Sequence, residues 1–440
     1  MNGEINNNVF GISGGSMIRN SKLRNTLYGL TAGSFAAMMM TASVQAADLG
    51  GNCCADLEER VAELEATTAR KGNRVVSLEV SGHVNEAILF YDDDFEENVV
   101  IGSPVNSRSR FRFKGSANIN ADWSAGFLME FGVRSNSLSG IDQDNPFQRQ
   151  GESAIDTRHE ALYVKSKTYG TVWLGHTGSA TEGITEIFLG GNLETPFPLL
   201  SGGGLKLRFN DGTLSGTSLI NAAGVQGEFK QGEGNRREII RYISPTLAGF
   251  VVSAAAGGDD FYDVALRYAG EFGDFRVAAG VGYQHSTDED DEAAMFRNCA
   301  NQFGEVDCGA LGASGGIMHV PTGLYVNASY GYIEQDNDTG VLGDRDEHWA
   351  IYVGIERKWS PLGKTNIWGS YGESDSEIRS QGDLDVFSIG VVQNIDAAAM
   401  ELYITYRNID ATGTQIGGAR DGEFVSGDVD LLQLGARIRF

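Results

Sequence analysis

From Ser77 to the last residue the side chains alternate between apolar and polar with a period of two. Leu432, Leu434, Ala436, Ile438 and Phe440 share one phase, and Gln433, Gly435, Arg437 and Arg439 the other. Tyr262, Val264, Leu266 and Tyr268 alternate in the same way with Asp263, Ala265 and Arg267, and Phe111 and Phe113 with Arg110, Arg112 and Lys114. Successive side chains of a strand point to opposite faces, so each such segment reads as a strand with one apolar and one wet face. Sixteen of these segments follow one another between 77–91 and 429–440. An even count allows an antiparallel sheet to close on itself.

The connections alternate as well. Asn120-Ala121-Asp122, Thr168-Tyr169-Gly170, Phe272-Gly273-Asp274 and Ser360-Pro361-Leu362-Gly363 are tight turns, whereas the intervening connections are mostly longer and acidic, as in Asp288 to Glu292. Aromatics gather towards the strand ends, among them Trp123, Tyr169, Phe250, Phe272 and Trp359. Short turns at one end, long loops at the other and aromatic girdles describe an all-β, transmembrane antiparallel β-barrel of about 16 strands. Composition agrees: 59 glycines, only 7 prolines and 22 phenylalanines describe a folding β chain. A secreted sandwich or propeller is disfavoured, because no repeat of 40–50 residues is visible. The formal charge of −25 argues against a nucleic-acid partner, which would call for a basic surface.

Before Ser77 the pattern differs. Arg19, Lys22 and Arg24, an apolar stretch from Leu27 to Met40, and Val44-Gln45-Ala46 have the layout of a signal peptide over residues 1–46, with Met17 a possible true start. Its removal takes away three basic residues and Glu4, leaving 31 basic and 58 acidic residues and a charge of −27. In the oxidising compartment that export implies, Cys299 and Cys308 can close a loop as a disulfide. Cys53 and Cys54 are adjacent and poorly placed to bond to each other, so links between subunits stay open for them. Within the segment 47–76, Leu57, Val61 and Leu64 form the stripe of a short, coiled-coil-like amphipathic helix. About two heptads do not hold a helix alone, so it needs partners.

Several stretches then resemble a known family. ADLGGNCCADLEERVAELEATTARKGNR at 47–74, SRFRFKGSANI at 109–119, YGTVWLGHT at 169–177, RYISPTLAGF at 241–250, IMHVPTGLYV at 317–326 and the final ARIRF at 436–440 are similar to the general diffusion porins of alphaproteobacteria. The resemblance implies a sixteen-stranded barrel over 77–440 in the bacterial outer membrane, embedded in lipid and lipopolysaccharide. It further implies a homotrimer and passive uptake of small hydrophilic solutes and ions. On that resemblance Phe440 is an assembly signal, and the helix at Leu57–Leu64 is a periplasmic trimerisation segment.

The longest gap between strands, 177–235, lies where related porins fold a loop into the pore. Its acids Glu182, Glu186, Glu194 and Asp211 are the candidate constriction residues. Facing them, the polar phases of the strands supply a candidate basic wall of Arg108, Arg110, Arg112, Arg241, Arg267, Arg276, Arg407, Arg437 and Arg439. Acid on the loop and guanidinium on the wall would set a transverse field across the pore. The expected preference is mildly for cations.

Enzyme readings fail on spacing. Gly202-Gly203-Gly204 opens no helix after a strand, His159-Glu160 has no second histidine four residues on, and Asp336 to Gly340 resembles a calcium loop only superficially. No cofactor or metal is called for. A substrate-specific channel, or an anchor or adhesin whose helix binds a periplasmic partner, are the competing functions.

Overall fold

The computed structural model describes residues 75–147, 155–191, 200–224, 231–258, 260–286, 307–336, 345–377 and 381–440. The expected signal peptide, the helix at Leu57, Val61 and Leu64, Cys53, Cys54, Glu194 and Cys299 lie outside them.

Every strand belongs to one antiparallel sheet. It begins with β1 (Ser77–Asp92), β2 (Glu97–Gly102), β3 (Arg110–Asn118), β4 (Trp123–Val133), β5 (Ile155–Ser166) and β6 (Gly170–Gly178). A small hairpin follows, β7 (Lys206–Arg208) and β8 (Leu214–Ser218), with the one-turn helix α1 (Leu219–Ala222). The ring continues through β9 (Arg236–Ile243), β10 (Phe250–Gly257), β11 (Tyr262–Phe272), β12 (Phe275–Ser286), β13 (Asp307–His319) and β14 (Leu324–Asp336). It ends with β15 (Arg345–Ser360), β16 (Gly363–Ser376), β17 (Gly382–Ile395), β18 (Met400–Thr414) and β19 (Phe424–Arg439).

β1 pairs with β3 through its first half and with β2 through its second, so β2 and β3 are two pieces of a single barrel strand interrupted at 103–109. β7 and β8 are not wall strands and meet the ring where Ser426 of β19 pairs with Arg208. Sixteen strands therefore span the barrel, as the alternation predicted. Closure comes from β1 against β19, in register from His83↔Arg439 to Asp92↔Asp430. A closed ring leaves no strand edge unpaired, which a lipid environment demands.

The faces are inverted relative to a soluble protein. Val84, Ile317, Val326, Val353, Phe387 and Ile389 point outward and are exposed, while Asn85, Asp263, Gln284, Asn327 and Asn366 point inward and are buried. One expectation needs correcting: the inner face is not polar throughout. Towards the long-loop end, Leu89 and Tyr91 of β1, Leu384 and Val386 of β17, Ile409 of β18 and Leu431 of β19 are buried inward. They pack with Leu200, Leu205, Leu207 and Leu219 from inside the barrel and with Leu138 and Ile141. The cause is the chain between β6 and β9, which brings its own apolar side chains into the lumen and needs apolar wall to cover them.

Candidate functional site

The long segment between β6 and β9 returns into the barrel as soon as β6 ends. Its first turn is bound by Asp263 of β11, a wholly buried carboxylate that accepts from Ala180 N at 3.0 Å, Thr181 N at 2.7 Å and Thr181 Oγ1 at 2.8 Å. Arg267 donates to Ala180 O and Glu182 O, both at 2.8 Å, and Arg241 donates to Ser179 O at 3.1 Å. These guanidiniums hold the loop backbone.

The segment then crosses the inner wall strand by strand. Ser314 of β13 accepts from Ile187 N at 2.8 Å and donates to Ile184 O at 2.6 Å. Asn327 of β14 accepts from Leu189 N at 2.7 Å and donates to Leu189 O at 2.9 Å. Phe188 sits against Tyr352 of β15 with ring centroids 4.6 Å apart. Inward glycines make the close approach possible. A Cβ on Gly280 would lie 2.4 Å from Ile187 Cδ1, one on Gly282 2.6 Å from Thr181 Cγ2, and one on Gly312 2.3 Å from Gly232 O.

Across the lumen, β3 to β5 gather positive charge around one carboxylate. Glu130 is wholly buried and accepts from Arg158 Nε at 2.8 Å, from Arg110 Nη1 at 3.3 Å and from Arg112. Arg108 pairs with Asp156 at 2.8 Å. Arg158 occupies an irregularity in the β4–β5 register, where Glu130 opposes His159 but Phe131 opposes Thr157. The extra residue lets Arg158 reach the inner face next to His159, whose Nδ1 lies 3.1 Å from Thr177 Oγ1. Arg236, at the start of β9, pairs with Glu182 at 3.1 Å and joins the two sides. Glu186 is exposed a turn further on.

Of the candidates, Arg110 and Arg112 meet on Glu130, with Arg236 close enough to act electrostatically on Arg110, and Arg236 carries Glu182. Arg241 and Arg267 bind the start of the same loop, and the other described candidates lie elsewhere. Asp211 is at the tip of the β7–β8 hairpin, paired with Arg420 of the β18–β19 loop at 2.9 Å. Arg276 pairs with Glu271 beside the short turn between β11 and β12, and Arg437 and Arg439 share Glu401, each at 2.6 Å, at the same end. Arg407 is buried on β18. Cys308 is buried at the start of β13. Glu130, Arg158, Arg236 and Asp263 were not singled out from the sequence. The unbroken polar run Asp156 to Glu160, within a strand that otherwise alternates, was the available sign of the irregularity.

At the long-loop end Asp93 accepts from Arg208 Nη2 at 2.7 Å and Gln143 Nε2 at 2.9 Å. Burial pushes its pKa up, but these hydrogen bonds and the guanidinium outweigh burial and hold it below the ordinary aspartate value.

The sequence profile of a Gram-negative porin family matches residues 34–414. No curated protein sequence matches the chain. Among solved structures, an anion-selective porin from Comamonas acidovorans is similar with a TM-score of 0.55 at 16% identity, covering 83% of this chain and 100% of the other. OprB of Pseudomonas putida gives 0.54 at 11%, over 88% and 97%. The trimer form of OmpT of Vibrio cholerae gives 0.51 at 14%, over 83% and 100%. At these identities the likeness is one of fold.

Proposed function

The chain belongs to the Gram-negative porin family and forms an outer-membrane channel, and from that premise we propose that it is a general diffusion pore for small hydrophilic solutes and ions, mildly selective for cations. The observation that carries this reading is the Glu182-bearing segment bonded along the inner wall opposite the Arg108, Arg110 and Arg112 strands. A loop held at that many points would narrow the lumen and set the charge that a passing ion meets.

Cation preference follows from how the guanidiniums are used. Arg241 and Arg267 are turned to loop carbonyls, and Glu130 takes three of the others. The surplus of acid over base in the chain extends its field about 8 Å from the mouth at physiological salt. In a salt gradient across a planar bilayer the reversal potential should show a weak cation preference. Glu182→Gln combined with Glu186→Gln should reduce it. Anion preference in the parent channel, or no change on neutralising both glutamates, defeats the proposal. The opposite reading has one observation in its favour: Arg108, Arg110, Arg112, Arg158 and Arg236 outnumber Glu130, Asp156 and Glu182 around the passage. The same measurement decides between them.

The reading includes a homotrimer, removal of residues 1–46 on export, and a Cys299–Cys308 bond. N-terminal sequencing of the mature chain tests the second. Alkylation of both thiols without reductant, read by mass spectrometry, would disprove the third.

A further inference from the structure

The interruption of the second barrel strand is larger than an ordinary bulge. Between the pairs His83↔Arg110 and Ala87↔Gly102, the seven residues 103–109 stand opposite only Val84, Asn85 and Glu86, whereas a bulge commonly adds a single residue. On its other side β1 runs on unbroken, with Asn85 opposite Arg437 of β19. The extra chain forms one 3-10 turn, Val105–Ser107, on the lumen side of the wall.

The wall holds this turn through Asn85, an inward side chain with no exposed surface. Ser109 replaces the ladder partners that Asn85 has lost: its Oγ accepts from Asn85 N at 2.9 Å and donates to Asn85 O at 3.3 Å. The Asn85 amide donates to Ser107 O at 2.8 Å and to Asn106 Oδ1 at 3.2 Å, and its Oδ1 accepts from the Tyr403 hydroxyl at 2.8 Å. Tyr403 comes from β18 and crosses β19 at Gly435, where a Cβ would lie 2.2 Å from its Cζ. His83 Nε2 lies 2.9 Å from Arg108 O and 3.2 Å from Ser107 Oγ. A buried amide satisfied at both ends fixes the chain above it in one place.

The far side of the turn meets the loop inside the barrel. Val105 packs against the apolar cluster that includes Leu200 and Leu205, and its N lies 3.4 Å from Ser201 Oγ. Ser103 O accepts from Leu138 N at 3.0 Å and Leu138 O accepts from Gly202 N at 2.6 Å, so main chain from the β4–β5 connection ties turn to loop. Arg108 leaves the turn across Gly132 of β4, where a Cβ would lie 3.0 Å from its Nε, and ends on Asp156 of β5. We propose that residues 103–109 are a second, fixed arm of the constriction, continuing the loop round to the Arg108 side of the passage, and that Asn85 and Tyr403 are the residues that position it. The inference rests on the diffusion-pore reading and adds to it a wall element that a passing solute meets besides the loop.

Ser107→Cys in the full chain, modified with a cationic or an anionic methanethiosulfonate and compared in planar bilayers with the parent treated alike, tests this, with labelling read by mass spectrometry. The label should lower single-channel conductance, and the two reagents should move the reversal potential in opposite directions. Asn85→Leu removes the amide beneath the turn and Tyr403→Phe only the hydroxyl behind it. Each should weaken the block in the Ser107→Cys background, in barrels that still migrate folded on an unheated gel. A labelled Ser107→Cys channel that conducts and selects as the treated parent does overturns the second arm. A block of undiminished size in both backgrounds overturns the positioning roles of Asn85 and Tyr403. A parent that opens no channel removes the diffusion-pore reading itself, and this inference with it.

Discussion

A carboxylate without solvent exposure is sustained inside a barrel only by the charges that reach it, and Glu130 has Arg110, Arg112 and Arg158. Removing the negative partner leaves three guanidiniums crowded together. Breaking a buried ion pair in this way costs about 3–5 kcal/mol. Glu130→Gln should therefore lower the temperature at which the folded band converts to unfolded mobility on a gel, and move the reversal potential towards anions. An unchanged potential would mean that this cluster does not face the ion path. Asp93 allows a pH prediction. Its pKa is lower in the folded chain than its ordinary value near 3.8, so the folded state binds fewer protons there. The stabilisation is complete above that ordinary value and disappears as pH falls through the depressed folded one. Below about pH 4 the link from Asp93 to Arg208 should weaken, detected as increased channel noise that Asp93→Asn reproduces at neutral pH. From the sequence, neither residue stood out: a single Glu in a strand and one Asp in an acidic run carry no mark of their partners, which are 18 to 28 and 115 positions away.

Among the elements, the loop between β6 and β9 was legible as the longest gap, but its path was not. The path depends on glycines in the polar phase of β12 and β13, which as residues say only that a side chain is absent. Gly312→Val would drive a Cβ to 2.3 Å from the Gly232 carbonyl, backbone that cannot step aside as a side chain can. It should displace the loop and change single-channel conductance. Gly369→Ala is the matched control: the nearest atom to its Cβ is Ser388 O at 3.6 Å, and conductance should stay as in the parent. Equal effects from both would separate the glycines from the loop. The β7–β8 hairpin and α1, five residues or fewer each, were too short to announce a period.

At the scale of the molecule, closure brings both chain ends of the barrel to the short-turn side. Gly82 N donates to Phe440 O, and Phe440 N donates to Gly82 O, both at 3.0 Å, so the last residue completes the seam between β1 and β19. A ring whose strands are all paired resists detergent, and on the homotrimer reading the unheated extract should run on an SDS gel well above monomer mass and collapse to it on boiling. Monomer mobility without heating, agreeing with scattering, would contradict assembly. Strand number, the outward apolar phase and the end bearing the long loops were all determined by the sequence alone, because period and turn chemistry are local properties that no distant contact can reverse. Which arginines line the passage was decided only by tertiary structure. Alternation places Arg112, Arg267 and Arg437 on the same inner face, yet one joins two other guanidiniums on Glu130, one holds a loop carbonyl and one closes a pair beside the last residue. The difference lies in what each meets across the lumen, and a chain folded back into its own barrel sets that through contacts between residues dozens to hundreds of positions apart.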